Sequence, residues 1–208
     1  MAGVSSHFHM KDYILKLNEK RILTDVDGVM LNWVDGFEKF MNDTHNLKTI
    51  DDSDYSLAVR FGVDPAKEYD YIVEFNHSEA ISRLEPLRDA KEVVEKFTDA
   101  GYKFVVITSL SKNDSSCDWR VQNLERVFGK DTFEDFVFLD IGESKVDALS
   151  KFAGSGLTWI EDLPKNALDG HNIGLPTYVM KHTYNADFNH DEMKFVDTWG
   201  DIHADFFI

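Results

Sequence analysis

Apolar runs punctuate the chain at near-regular intervals, and amphipathic stretches separate them. Residues 21–24, 103–108, 136–139, 157–160 and 176–180 are short and apolar, which predicts strands. The run at 103–108 is the richest in β-branched residues and the clearest of them. Between the runs, residues 89–100 carry Val93, Val94 and Phe97 at helical spacing and end at Gly101, the place for a C-terminal glycine. Residues 119–128 repeat the pattern with Val121, Leu124 and Val127 before Gly129, and residues 145–152 with Val146, Leu149 and Phe152. Strands alternating with helices predict βαβ units, and strands apolar throughout predict a sheet covered on both faces. The expected fold is therefore α/β, a Rossmann-like three-layer core with a mostly parallel sheet.

One interval breaks the rhythm. The chain between the first two runs is too long for a single crossover helix. Residues 33–45 read as a helix carrying Phe37, Phe40 and Met41. A polar loop with Asp51, Asp52 and Asp54 follows, then a stretch at 55–61 and a helix at 65–75. Residues 33–84 are expected to form a small helical cap beside the carboxyl end of the first strand, with 1–32 and 85–208 forming the core.

A length of 208 residues fits one domain with such an insertion. The 43% hydrophobic fraction is enough for a real core, yet no apolar run approaches a membrane span. Residues 1–20 lack the apolar centre of a signal peptide, so a cytoplasmic protein without membrane attachment is expected. Cys117 is the only cysteine, which rules out an intramolecular disulfide and a multi-thiolate zinc site. Beside Ser115, Ser116 and Asp118 it reads as a structural or idle thiol in a polar loop or helix start. The histidines, His7, His9, His45 and His77 among them, form no metal-like pair. A net charge of −16 argues against binding duplex nucleic acid, and any phosphate site must rely on local cations.

The candidate chemistry sits where the predicted strands end. After the first come Asp25 and Asp27, with Gly28 at once behind them. Desolvated like charges so close repel, and a hard divalent cation such as Mg²⁺ relieves them. The second run ends in Thr108 and Ser109, able to donate to a phosphate oxygen; the third is followed by Lys145; the fourth ends in Glu161 and Asp162. Each has a plainer reading: an Asx turn for Asp25–Gly28, a helix cap for Thr108 and Ser109, a solvated lysine, an ordinary turn before Pro164. Their order and common placement predict a Mg²⁺ site beside a phosphate site at the sheet's carboxyl edge.

This arrangement resembles the haloacid dehalogenase superfamily of phosphatases, over most of the chain from Arg21 to Asn185. The resemblance implies that Asp25 is the nucleophile and forms an aspartyl-phosphate. Asp27 would protonate the leaving oxygen, then activate water, and offer its backbone carbonyl to Mg²⁺. Asp162 would ligate the metal directly, Glu161 directly or through water, and Thr108 and Lys145 would hold the phosphoryl group. Asp27, two residues after the nucleophile, favours phosphate chemistry over dehalogenation. The D-x-D-G-V motif with Leu84-Glu85-Pro86-Leu87 is similar to the 5′(3′)-deoxyribonucleotidase branch, in which aromatics matching Trp33 and Phe75 clasp a base; both could instead pack the cap. The branch's usual Thr-Ser-Pro is here Thr108-Ser109-Leu110. His182 to Asn185, and Trp199 to Ile202, are expected to pack near the site. The expected partner is a small phosphorylated substrate, a nucleoside monophosphate by this resemblance. Another small phosphate, a nucleic-acid 3′-phosphate, or a silent ligand-binding member are the rivals.

Overall fold

The computed structural model describes residues 20–54 and 56–207. The reading of residues 1–19, with His7 and His9, and that of Tyr55 lie outside the described residues. The strands are β1 (Arg21–Thr24), β2 (Lys103–Ser109), β3 (Phe133–Leu139), β4 (Thr158–Glu161), β5 (Thr177–Met180) and β6 (Lys194–Val196). Among the described residues they form one parallel sheet in the order β3-β2-β1-β4-β5-β6. The α/β expectation holds, with two adjustments. β6 was not anticipated, being three residues long and set within an acidic stretch. β3 begins three residues earlier than its apolar run, because Glu134 and Asp135 lie exposed on an edge strand.

Alternation along the strands divides the core. Ile22, Phe104, Val106, Ile160, Tyr178 and Met180 face one side. Leu23, Val105, Ile107 and Trp159 face the other. The first side is covered by α4 (Ala90–Asp99), α5 (Asp114–Phe128) and α8 (Trp199–Phe206), through Val94, Phe97, Leu124 and Trp199. The second is covered by α6 (Val146–Ser150) and α7 (Pro164–Asn172), through Leu149 and Ala167. Among the described residues no helix is long and apolar enough to cross a membrane.

Between β1 and β2 lie α1 (Trp33–His45), α2 (Leu57–Phe61) and α3 (Glu68–Asn76) with short 3₁₀ turns. α1 starts and ends where the pattern placed it: Asn32 caps it, its side chain accepting from Asp35 N, and Asn46 closes it in the left-handed conformation. Phe37, Met41, Phe61 and Phe75 join the hydrophobic cluster of the sheet's first side, so these helices pack as an extension of the core. The Glu85–Leu87 segment is stitched to the loop after β1: Asn32 N donates to Glu85 O and Leu87 N to Met30 O.

Candidate active site

β1 sits between β2 and β4, so the strand order reverses there and a crevice opens at the carboxyl ends of the central strands. Asp25 follows β1 directly, its N–H donating to Ile160 O of β4 at 2.9 Å. Asp162 follows β4, and Thr108 and Ser109 end β2. The register therefore draws together groups more than a hundred residues apart in sequence.

Asp25, Lys145, Glu161 and Asp162 are all buried. Lys145 Nζ lies 2.7 Å from Asp25 Oδ2 and 2.8 Å from Glu161 Oε2, and 5.2 Å from the Trp159 ring centroid. Glu161 Oε1 accepts from the N–H groups of Asp162 and Leu163, so both its oxygens are engaged. Burial pushes the Asp25 carboxyl up to about 6; repulsion from Glu161 adds to the rise and Lys145 opposes it. Burial likewise lifts Glu161 to about 7 and Asp162 to about 6. Burial alone would depress Lys145, but the carboxylates on either side hold it above the ordinary lysine range.

Oxygens of Asp25, Glu161 and Asp162 lie within 4.8 Å of one another. Asp25 Oδ1 and Asp162 Oδ1 are buried without a hydrogen-bond partner. Unpaired buried carboxylate oxygens are costly, and an all-oxygen donor set suits a small hard cation. The residues present thus fit Mg²⁺. Thr108 Oγ1 is also buried without a partner, a hydroxyl with a hydrogen bond to give.

Gly28 sits at φ 72°, and a Cβ there would run into Asp162 Oδ2 and Tyr184 Oη. Only glycine allows the loop to pass this close to Asp162. The Tyr184 hydroxyl donates to Asp162 Oδ2, and Asn185 Nδ2 donates to Asp162 O at 2.7 Å. His182 Nε2 lies 2.7 Å from Gly28 O. Since a carbonyl only accepts, Nε2 carries the proton. Residues 182–185 therefore brace the acidic loop rather than merely packing beside it.

A cavity of about 280 Å³ opens over this cluster, lined by Asp25, Asp27, Ser109, Asp162, Trp33 and Lys165 among others. Lys145 and Thr108 are almost wholly buried and do not line it; Lys145 lies behind the lining residue Asp25, in contact with it at 2.7 Å. Trp33 forms a wall, its Nε1 donating to Asn76 Oδ1 at 3.2 Å. Phe75 does not reach the cavity: it is fully buried, edge-on to Trp33 at 5.4 Å, and supports that wall from behind.

Sequence reasoning missed Arg120. It is fully buried on α5 and grips both oxygens of Asp27, Nη1 to Oδ1 at 2.6 Å and Nη2 to Oδ2 at 3.0 Å. Burial lifts Asp27 to about 6, against the pull of Arg120, although its side chain keeps 21% of its exposure. The available signal was position: 116, 120, 123, 124 and 127 make the buried stripe of α5, and three of those residues are polar. Reading Val121 as part of the stripe hid this; Val121 is only half-buried. Cys117 lies within the first turns of α5, which begins at Asp114. Burial raises its thiol, which suits an inert group.

No family model matches the chain. A curated protein of Enterobacteria phage T4, named as an uncharacterized 32.4 kDa protein of the Gp30-rIII intergenic region, is 28% identical over 195 residues, covering 89% of this chain and 69% of the phage protein. Among solved structures, a haloacid dehalogenase-like family hydrolase from Streptococcus pneumoniae superposes with a TM-score of 0.62 at 12% identity, over 90% of this chain and 98% of that one. CbbY from Rhodobacter sphaeroides, solved with phosphate, gives 0.60 at 16% identity over 88% and 96%. The D,D-heptose 1,7-bisphosphate phosphatase of B. bronchiseptica, solved with magnesium and phosphate, gives 0.57 at 10% over 90% and 97%. At these identities the likeness shows the fold alone, the mostly parallel α/β architecture that this chain shares with those hydrolases.

Proposed function

We propose that the chain is a Mg²⁺-dependent phosphomonoesterase that works through an aspartyl-phosphate on Asp25. The observation that carries this reading is the buried Asp25–Lys145–Glu161 contact with unpartnered oxygens on Asp25 and Asp162 beside it. A purely structural cluster would satisfy those oxygens. Asp25 and Asp162 would hold the ion, helped by the Asp27 carbonyl and by Glu161 through water. When bound, Mg²⁺ neutralises charge on the phosphoryl oxygens.

The chain's own groups account for the rest. An Asp25 oxygen attacks phosphorus while Lys145 and Thr108 hold the equatorial oxygens and offset their charge. As the ester P–O bond breaks, Asp27 gives its proton to the leaving oxygen. Asp27 then takes a proton from water, which attacks phosphorus, breaks the Asp25–phosphorus bond and releases inorganic phosphate. Ser109 lies on the cavity wall, and in this reading it would donate to a phosphate oxygen.

Residues 33–84 serve as the cap, and Trp33 as a stacking wall for the base of a (deoxy)nucleoside monophosphate. Lys165 at the cavity rim supplies a further cation in a chain of charge −16. The test is a panel of nucleoside monophosphates, sugar phosphates, 3′-phosphorylated oligonucleotides and nitrophenyl phosphate, with Mg²⁺ and with EDTA. Metal-dependent release of phosphate, fastest from nucleotides, is expected. Turnover that survives chelation would remove the mechanism, and nucleotides no faster than the aryl ester would remove the base wall alone.

A further inference from the structure

Arg120 has no role in the mechanism above, yet its placement is specific. It projects from the middle of α5, fully buried, and two of its N–H groups meet the two oxygens of Asp27. Its Nε is buried with no partner. Asp27 lines the cavity and Arg120 does not. The guanidinium therefore stands behind the carboxylate, on the side away from substrate. α5 is itself pinned one turn further on: Asn123 accepts from Leu84 N at 2.7 Å and donates to Leu84 O at 2.9 Å. Arg126 donates to the same carbonyl at 3.0 Å.

Burying a guanidinium costs several kcal/mol, and apolar residues of similar size often serve stability equally well. A carboxylate has about four lone-pair sites, and a two-pronged arginine occupies one on each oxygen. The remaining sites on Asp27 are left for groups in the cavity. Resting on the phosphomonoesterase reading, we propose that Arg120 is the positioning residue of Asp27: it fixes the plane of the carboxylate so that proton transfer to the leaving oxygen, and later from water, occurs at a set place. Lysine replaces it only in part, because an ammonium is a point donor without the planar fork.

The test exploits leaving-group chemistry. A nitrophenolate departs without protonation, whereas the alkoxide of a nucleoside 5′-phosphate needs it. kcat/KM reports the steps up to the first P–O cleavage, so the ratio of kcat/KM for the nucleotide to that for nitrophenyl phosphate isolates the acid role of Asp27. In Arg120→Met this ratio falls by about tenfold or more. Arg120→Lys falls between Met and the parent. With the aryl ester, rapid mixing of Arg120→Met shows a burst of nitrophenol followed by slow turnover, because phosphoenzyme hydrolysis still needs the base. In an Asp27→Asn background, Arg120→Met lowers the ratio no further. A loss equal for both esters, with no burst, marks Arg120 as merely structural and overturns the inference. If the Met variant does not fold, an unchanged ratio in Arg120→Lys does the same. A parent protein that hydrolyses neither ester instead overturns the phosphomonoesterase reading itself.

Discussion

Lys145 and Glu161 form an ion pair at 2.8 Å in which neither side chain reaches solvent. The same ammonium touches Asp25 at 2.7 Å, so one cation sits between two carboxylates that would otherwise repel. Glu161 completes its own bonds with two backbone N–H groups, which fixes the lysine against Asp25. Removing the cation leaves two buried carboxylates unpaired. Lys145→Met should therefore destabilise the protein by about 3–5 kcal/mol, read from urea denaturation, and abolish turnover. A variant as stable as the parent would show that the lysine is not the counter-charge of the cluster.

Asp25→Asn keeps the shape of the side chain and removes the proposed nucleophile. Turnover should fall by at least about a thousandfold, while the thermal midpoint of the metal-free protein does not drop, since one of several mutually repelling carboxylates is gone. Residual activity near that of the parent would assign the attack to another group.

The acidic cluster makes metal and pH interdependent. In the metal-free fold Asp25 and Asp162 are raised to about 6 and Glu161 to about 7, from ordinary values of 3.8 and 4.5, first by burial. Folded values above unfolded ones mean that these groups stabilise the fold fully at low pH, and that this contribution is lost as pH rises through the folded values. The stabilisation conferred by Mg²⁺ over EDTA should therefore grow between pH 5 and pH 8, as the ion replaces protons on the same oxygens. Scanning calorimetry in Mg²⁺ and in EDTA across that range measures it. A stabilisation that is flat with pH would place the ion elsewhere.

Gly28 pairs a left-handed backbone with a close approach to Asp162 and Tyr184. Gly28→Ala should cost about 1–3 kcal/mol in chemical denaturation and weaken Mg²⁺ binding, because the added carbon displaces the Asp162 carboxylate. Unchanged metal affinity would mean that the loop can move aside freely.

Trp33 walls the cavity, and stacking on a base contributes about 1–3 kcal/mol. Trp33→Leu should lower kcat/KM for nucleotides by about tenfold relative to nitrophenyl phosphate. An equal effect on both substrates would reduce Trp33 to packing against Phe37 and Phe75, whose ring centroids lie 4.6 and 5.4 Å from its own.

Much of this architecture was legible because strand and helix periods differ. The buried runs at β1, β2, β4 and β5 had no competing pattern, and Asn32 and Asn46 flank α1 in the sequence itself. β6 was hidden by its brevity. The first turn of α5, Asp114 to Cys117, reads from sequence as either a polar loop or a helix start, and it is a helix start: Asn113 Oδ1 accepts from Ser116 N, and Ser116 is fully buried. The gathering of Asp25, Lys145, Glu161 and Asp162 was anticipated from strand ends alone. The Arg120 grip on Asp27 was not: its helical position was the one signal, and an apolar stripe drawn through Val121 turned Arg120 away from the core. The Leu110 N–H donates to Leu139 O at 3.0 Å, a bond that a proline at this position could not make.

The central claim is that Asp25 becomes phosphorylated during turnover. Acid-quenched enzyme, mixed with nitrophenyl phosphate and Mg²⁺ and then reduced with borohydride, converts an aspartyl-phosphate to homoserine. Peptide mass spectrometry should find homoserine at position 25, dependent on substrate and on the metal. Aspartate unchanged at 25, with homoserine at another carboxylate or at none while phosphate is released, would contradict the account.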